Sequence, residues 1–225
     1  MERTGSTNAD LLADSGAVEG DWLVSLAQDS GRGRQGRAWE SLNGNFFGST
    51  LVVLKSGDPH AASLSLAAGI ALIRAVEVAA PATGLMLKWP NDLLMGGAKL
   101  GGILLERTGD RLVAGFGLNL VQAPDLAERP TAALALIALV SPQSFAPVLA
   151  GAFARALDMW RTDSQRLTTG WMESAHPLGT ALKVHASADE PVEGKFDGLE
   201  PDGAMRLLLA DGSMRAIHAG DVALA

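Results

Sequence analysis

The chain has 225 residues, 48% of them apolar, with a formal net charge of −7 at pH 7, which supports a folded core and argues against broad binding to nucleic acid or anionic membranes. It contains no Cys, which excludes disulfides, thiolate metal sites and cysteine nucleophiles and fits a cytoplasmic location. The N-terminus lacks the apolar core of a signal peptide, and the uncharged run 61–73 is shorter than the ~20 residues that span a bilayer, so we expect no membrane partner.

The first part of the chain predicts alternating helices and strands. Three polar residues, Ser6-Thr7-Asn8, precede the first helix and are typical of a helix cap. Asp58-Pro59 predicts a second helix start, because proline is favoured at the first helical position. The expected elements are a helix at 9–13, strands at 22–28 and 46–54, and a helix from 58 to 80.

The middle part predicts a strand-rich segment followed by helices. Gly96-Gly97 between two apolar runs is a hairpin signal. The expected elements are strands at 84–89, 92–95, 99–106 and 111–120, then helices at 131–139, 142–161 and 168–173.

The composition changes at His176-Pro177. From Ala181 onward, short apolar runs alternate with turn signals such as Asp202-Gly203 and Asp211-Gly212. This pattern predicts a small β-barrel appended to a larger α+β domain. We therefore expect two domains, 1–177 and 178–225.

The segment 31–39, Gly-Arg-Gly-Arg-Gln-Gly-Arg-Ala-Trp, concentrates three arginines in an acidic chain. Glycines permit close backbone approach and arginine forks suit phosphate or carboxylate, so it predicts an anion-binding loop whose arginines face solvent without internal partners. A solvated turn and an RNA-binding segment are the alternatives. The spacing also satisfies a dinucleotide fingerprint, which we reject because the residues after it predict a turn rather than a helix.

A second polar cluster is Lys88-Trp89-Pro90-Asn91-Asp92, at the end of a predicted strand. A buried charge needs a partner, so either Lys88 pairs with Asp92, or Lys88 faces phosphate while Asn91 and Asp92 orient a nucleophile or a metal. Lys99 is a further cation, and Gly101-Gly102 beside it would let a ligand lie against the strand.

Taken together these motifs closely resemble the biotin–protein ligases. The resemblance rests on Ser6-Thr7-Asn8 with Gln28, the glycine–arginine loop, Lys88 to Asp92, Lys99 to Leu104, Gly115 to Asn119, and Gly194, Gly203 and Gly220-Asp221-Val222 near the C-terminus. It implies an α+β fold similar to the catalytic core of class II aminoacyl-tRNA synthetases, with a mixed sheet and flanking helices, followed by an SH3-like β-barrel. It also implies formation of biotinyl-5′-AMP from biotin and MgATP, and transfer of biotin to a lysine of a biotin carboxyl carrier protein.

The resemblance assigns roles to individual residues. Catalysis would use Arg34, Lys88, Asp92 and Lys99. Biotin or its adenylate would be bound by Ser6, Thr7, Asn8, Gln28, Arg32, Gly33, Arg34, Trp39, Lys99, Gly101 and Gly102. ATP would be bound by Arg34, Arg37, Lys88, Asn91, Lys99 and Asn119. Mg²⁺ is expected with ATP.

Three further expectations concern chemistry and partners. The carrier lysine, with a pKa near ~10.4, must lose a proton, and Asp92 is the best carboxylate to accept or orient that proton unless it pairs with Lys88 or binds metal. Five residues precede Ser6, so the resemblance implies the form without a DNA-binding domain, acting as a monomer or weak homodimer. The alternative functions are a lipoate or octanoate ligase, which would need a long apolar tunnel, and a noncatalytic RNA-binding protein.

Overall fold

A computed structural model describes residues 1–81, 84–127, 129–185 and 191–224. Its larger sheet has six strands in the order β1-β2-β6-β5-β4-β3, all paired antiparallel. The strands are β1 (Trp22–Ser25), β2 (Phe46–Val53), β3 (Leu85–Lys88), β4 (Asp92–Met95), β5 (Ala98–Thr108) and β6 (Arg111–Leu118). The hairpin between β4 and β5 turns at Gly96 and Gly97, whose φ angles of 59° and 81° explain the two glycines.

Four α-helices flank this sheet, α1 (Thr7–Ala13), α2 (Leu64–Ala79), α3 (Pro142–Thr162) and α4 (Ser164–Glu173). Helix α2 is apolar on most sides because it packs against the sheet, α3 and α4. Within the described ranges, 61–79 is the one helical stretch long and apolar enough to cross a membrane, and most of it is buried inside the protein.

The second sheet has five antiparallel strands in the order β10-β9-β8-β7-β11. They are β7 (Ala181–His185), β8 (Val192–Leu199), β9 (Met205–Leu208), β10 (Met214–Ile217) and β11 (Asp221–Leu224). Its buried side chains, including Phe196 and Leu207, belong to the same apolar core as the larger sheet. Trp89 Nε1 also donates to the Gly203 carbonyl at 3.0 Å, which ties the two sheets together.

The predicted α+β class is confirmed, with two differences in detail. All pairs among the six strands are antiparallel, and parallel pairing occurs at isolated bridges such as Lys99–Thr131. The five C-terminal strands form an open sheet over the described residues, because β10 and β11 are its two edges. Part of the predicted barrel, 186–190, lies outside the described residues.

Three sequence predictions were wrong locally. The helix predicted at 131–139 is a single 3-10 turn at Leu134–Leu136. The segment instead pairs with the sheet, since Leu134 N–H donates to the Asn119 carbonyl at 2.8 Å, and this tertiary pairing overrides helix propensity. The first strand ends at Ser25 rather than Gln28. Asp58 does not cap α2, because that helix begins at Leu64 with Ser63 at its N-cap. The Asp58 carboxylate instead accepts from the Arg161 guanidinium at 3.1 Å.

Candidate active site

A cavity of about 740 Å³ opens over the larger sheet, between the glycine–arginine loop and β11. Its volume lies in the ~300–1,000 Å³ range of small-molecule sites. Two groups of polar side chains line it, and both contact β5. The first group contacts the strand at Leu104. The second surrounds Lys99, five residues earlier in the sequence, which is ~16 Å along an extended strand.

The first group is a polar wall at the start of α1. Ser6 caps the helix by accepting from Ala9 N–H, and Thr7 and Asn8 are 4% exposed. Asn8 Nδ2 donates to the Leu104 carbonyl at 3.2 Å. Gln28 Oε1 accepts the Thr7 backbone N–H at 2.8 Å. These contacts hold a row of amide and hydroxyl groups against the cavity, a surface suited to a neutral ligand rich in N–H and C=O groups.

Glycines on β5 and β6 form the floor between the two groups. Gly102 pairs with Gly117 and Leu104 with Gly115 across the two strands. A Cβ at Gly117 would lie 2.4 Å from the Trp39 ring, and one at Gly115 would lie 2.1 Å from Asn8 Oδ1. These positions therefore need glycine for close approach. The Trp39 ring lies over Gly102 and Gly117 in this floor, and its buried Nε1 has no hydrogen-bond partner among the described residues.

The second group is a cation cluster around one buried carboxylate. Asp92, 6% exposed, has its Oδ1 2.5 Å from Lys99 Nζ. Its Oδ2 lies 3.8 Å from Lys88 Nζ and 3.6 Å from Arg129 Nη1. Three cations around one carboxylate make this end of the cavity electropositive, which suits a phosphate group.

The loop arginines contact the second sheet instead of solvent alone. Arg34 Nη1 donates to the Gly220 carbonyl at 3.0 Å, and Arg37 Nη2 donates to Asp221 Oδ1 at 2.8 Å. Lys88 Nζ donates to the Val222 carbonyl at 3.0 Å. The expectation that the loop arginines have no internal partners was wrong, because these partners lie more than 180 residues away in the sequence. No helix directly follows Gly36, the last glycine of the segment, and the next regular element among the described residues is strand β2, consistent with rejecting a dinucleotide fingerprint.

Burial perturbs the cations of this site. Desolvation lowers the pKa of Lys99, and the charge of Asp92 opposes that shift. Desolvation also lowers the pKa of Arg34, with Asp221 acting in the opposite direction. The pKa of His176 is lowered by burial and then by the charge of Lys88. Titratable groups shifted by burial beside charged partners are a common property of functional sites.

Most of the residues nominated from sequence line this one cavity. They are Ser6, Thr7, Asn8, Gln28, Arg32, Gly33, Arg34, Arg37, Trp39, Lys88, Asn91, Asp92, Lys99 and Gly102. Two do not. Gly101 points away from the cavity, toward Leu118. Asn119 is buried behind it, where Asn119 Nδ2 donates to the Ala132 carbonyl at 3.1 Å.

The structure adds cavity residues that sequence reasoning missed. Arg129, His176 and Asp221 line the cavity. Asp221 was part of a quoted motif, but nothing in the sequence indicated that it faces the loop arginines. Arg129 belongs to a predicted loop with no motif, so the sequence carried no signal for it.

A resident metal site is not built by these residues. Over the described ranges no group of three His, Asp or Glu converges. The one carboxylate among the cations, Asp92, is already engaged by Lys99, Lys88 and Arg129. Its donor set does not fit a resident metal ion.

Comparison with known families identifies this fold. The model of the Biotin/lipoate A/B protein ligase family matches residues 2–120, and the Biotin protein ligase C terminal domain matches residues 183–224. The chain therefore belongs to the biotin/lipoate A/B protein ligase family.

Individual relatives are named as biotin–[acetyl-CoA-carboxylase] ligases. The chain is 33% identical over 241 residues to the biotin–[acetyl-CoA-carboxylase] ligase of Paracoccus denitrificans, covering 99% of this chain and 98% of that protein. It is 33% identical to the enzyme of the same name from Mycobacterium tuberculosis, covering 99% and 86%. Its fold matches the biotin protein ligase of Aquifex aeolicus in complex with biotin and ATP, with a TM-score of 0.88 and 23% identity, over 100% of this chain and 97% of that one.

Proposed function

We propose that this chain is an ATP-dependent ligase that converts biotin to biotinyl-5′-AMP and transfers biotin to a lysine of a biotin carboxyl carrier protein. The observation that carries the proposal is the single cavity with a polar wall about Asn8 and a cation cluster about Lys99. The ureido ring of biotin matches the wall, and the carboxylate and phosphates match the cations. The relatives named as biotin ligases across nearly their whole length support the same conclusion.

The first step joins two anions, which is the main obstacle to the reaction. An oxygen of the biotin carboxylate attacks the α-phosphorus of ATP, and the bond to pyrophosphate breaks. Lys99, Lys88 and Arg34 lower the barrier by neutralising the charge that develops on the phosphorus oxygens. No base is required, because the carboxylate is already ionised at neutral pH. Mg²⁺ would enter as part of the substrate MgATP and would supply positive charge to the phosphates.

The second step needs a neutral amine. The neutral ε-nitrogen of the carrier lysine attacks the acyl carbon of the adenylate, an amide bond forms, AMP leaves with the bonding electron pair, and the nitrogen releases one proton to solvent. The engagement of Asp92 by three cations supports a role in positioning Lys99 over a role as the base. The loop 31–39 covers the adenylate between the steps, since a reactive acyl phosphate must be protected from water.

The site residues divide along the cavity. Biotin is held by Ser6, Thr7, Asn8, Gln28, Arg32, Gly33, Trp39 and Gly102, and the ATP phosphates by Arg34, Arg37, Lys88, Asn91 and Lys99. Residues 1–177 form the catalytic unit, and 178–225 form a unit whose β11 completes the cavity. The enzyme acts in the cytoplasm as a monomer or weak homodimer.

Lipoate or octanoate ligation is the competing activity within the family. The polar wall disfavours it, because a linear acyl chain offers no partner for buried amide and hydroxyl groups. The test incubates the purified chain with MgATP and biotin, octanoate or lipoate, and measures pyrophosphate release with mass spectrometry of the adenylate. We expect biotinyl-AMP at least ~100-fold faster than the other adenylates, because unpaired polar groups discriminate strongly. Equal or faster reaction with octanoate or lipoate would overturn the assignment, as would RNA binding without any adenylate.

A further inference from the structure

Glu106, near the end of β5, joins two parts of the biotin site without belonging to the residues assigned above. Its Oε2 accepts from Asn8 Nδ2 at 2.9 Å, and its Oε1 lies 3.8 Å from Arg32 Nη2. The Glu106 side chain is 27% exposed, whereas Asn8 is 4% exposed. The carboxylate therefore reaches from the protein surface to a buried amide of the polar wall.

The contacts of Asn8 determine which way its amide points. Its Nδ2 faces the Leu104 carbonyl and the Glu106 carboxylate, two groups that can only accept. An amide turned by 180° would place oxygen against both acceptors. Asn8 Oδ1 therefore faces Ser49, whose Oγ lies 2.6 Å away.

The orientation of the Asn8 amide determines which atom donates in its contact with Ser49. Ser49 has one hydroxyl proton and gives it to Asn8 Oδ1, which has none to offer. The Thr7 hydroxyl lies 2.7 Å from Ser49 Oγ and 3.0 Å from Gln28 Oε1, so its one proton has two acceptors within reach. Protons point in one direction from Ser49 to Asn8 to Glu106.

A separate contact determines what Gln28 presents to a ligand. Gln28 Oε1 accepts from the Thr7 backbone N–H at 2.8 Å and lies 3.0 Å from Thr7 Oγ1. The amide nitrogen of Gln28 is then left as the donor, since its oxygen is already engaged. Ser49 is fully buried beneath the wall, so it influences a ligand only through its neighbours.

We propose that Glu106 is a positioning residue that sets the direction of the hydrogen-bond chain from Ser49 to Asn8 and thereby the affinity for biotin. The inference rests on the proposed function. Glutamine at this position can donate as well as accept, so the Leu104 carbonyl would be left as the one acceptor opposing a turned Asn8 amide. A simple ion pair between Glu106 and Arg32 would impose no direction on Ser49.

The test measures the binding of biotin alone by calorimetry, with thermal unfolding of each variant. We expect Glu106→Gln to weaken biotin binding ~10-fold and Ser49→Ala to weaken it to a similar extent, as for lost hydrogen bonds to charged groups. The double variant should be no more than about twofold weaker than the poorer single variant, because both break one chain. Glu40→Gln, which removes the same charge from an exposed position beside the loop, should bind within about twofold of the parent.

Two outcomes would overturn the proposal while leaving the function intact. One is a biotin affinity equal to that of the parent in Glu106→Gln or in Ser49→Ala. The other is a loss of affinity in the double variant that equals the product of the two single losses. Ser49→Ala gives the deciding result if Glu106→Gln does not fold, because it breaks the same chain without touching Glu106. A parent chain that binds no biotin would overturn the proposed function and this inference together.

Discussion

Lys99 on β5 and Asp92 on β4 meet through an irregularity in their shared ladder. Asp92 pairs with Gly102 and Leu93 with Gly101, but Leu94 pairs with Lys99, so β5 has one extra residue. A bulge of this kind re-aims a side chain. It brings Lys99 to the face of Gly102 rather than that of Gly101, and a Cβ at Gly102 would lie 3.2 Å from Lys99 Nζ. Because Lys99 then lies on the same face of the sheet as Asp92, the two side chains form an ion pair at 2.5 Å.

Replacing Asp92 with Asn should therefore impair the first half-reaction. Lys99 would lose its counter-charge while Lys88 and Arg129 still repel it, so the ammonium would no longer be held at the reacting carboxylate and phosphate. We expect single-turnover formation of biotinyl-AMP to fall ~10²-fold or more, as for other preorganised charge sites. Transfer from supplied biotinyl-AMP should fall less. Parent-rate adenylation with loss of transfer alone would make Asp92 the base of the second step.

Removing the Arg34 side chain should release the adenylate rather than unfold the protein. Arg34 has one hydrogen bond to Gly220, and losing it costs ~1 kcal/mol of stability. We expect Arg34→Ala to release biotinyl-AMP at least ~10-fold faster in a filter-retention assay, since a charge-assisted contact is lost. Arg107→Ala, a surface arginine bonded to the Gly109 carbonyl, is the matched control and should retain the intermediate. Equal retention by both variants would remove Arg34 from the site.

Adding a methyl group at Gly117 should obstruct the glycine floor of the cavity. Its Cβ would lie 2.4 to 2.9 Å from Trp39 ring atoms, so the indole would have to leave its place over β6. We expect Gly117→Ala to raise KM for biotin ~10-fold, in line with overpacking costs of ~1–3 kcal/mol. Gly5→Ala, exposed and with open space around its Cβ, should leave KM unchanged. An unaltered KM in both variants would mean that Trp39 does not shape the biotin site.

Glu19 should make stability pH-dependent in the acid range. Hydrogen bonds from Arg161 lower the pKa of Glu19 from 4.5 to about 2. A lowered folded-state pKa gives stability that is present above pH 4.5 and is lost as the pH falls toward 2. Glu19→Gln should reduce the free energy of unfolding by ~1 kcal/mol at pH 7, allowing for partial solvent screening. Urea unfolding at several pH values should show that difference vanish near pH 2.

The control for this prediction is an exposed ion pair. Glu77 and Arg74 lie three residues apart on α2, and Glu77→Gln should change stability by less than ~0.5 kcal/mol at any pH. A Glu19→Gln effect that persists undiminished below pH 3 would assign the loss to packing rather than to ionisation.

Sequence reasoning located the cavity because its residues lie in short contiguous motifs. Ser6 to Asn8, the glycine–arginine loop and Lys88 to Asp92 each carry residue types whose chemistry is readable without a fold. The choice of Gly101 failed for a physical reason. Regular strand alternation would place Gly101 on the same face of β5 as Lys99, but the bulge between them puts the two residues on opposite faces.

Other parts of the site depend on contacts that no local pattern encodes. Arg37 and Asp221 are 184 residues apart, so their pairing follows from how the second sheet docks. Glu106 was only the last residue of a predicted strand, and its partner Asn8 lies 98 residues away. The resemblance implied that Asn119 binds ATP, yet Asn119 is buried, and its side-chain amide donates to the Ala132 carbonyl.

The most direct test of the whole account is the intact mass of a biotin carboxyl carrier domain after incubation with this chain, biotin and MgATP. We predict that the carrier gains one biotinyl group on one lysine, that replacing that lysine with arginine prevents the gain, and that Lys99→Ala of the enzyme slows it ~10²-fold or more. A carrier of unchanged mass after incubation with the parent enzyme, or equal labelling by parent and Lys99→Ala, would contradict it.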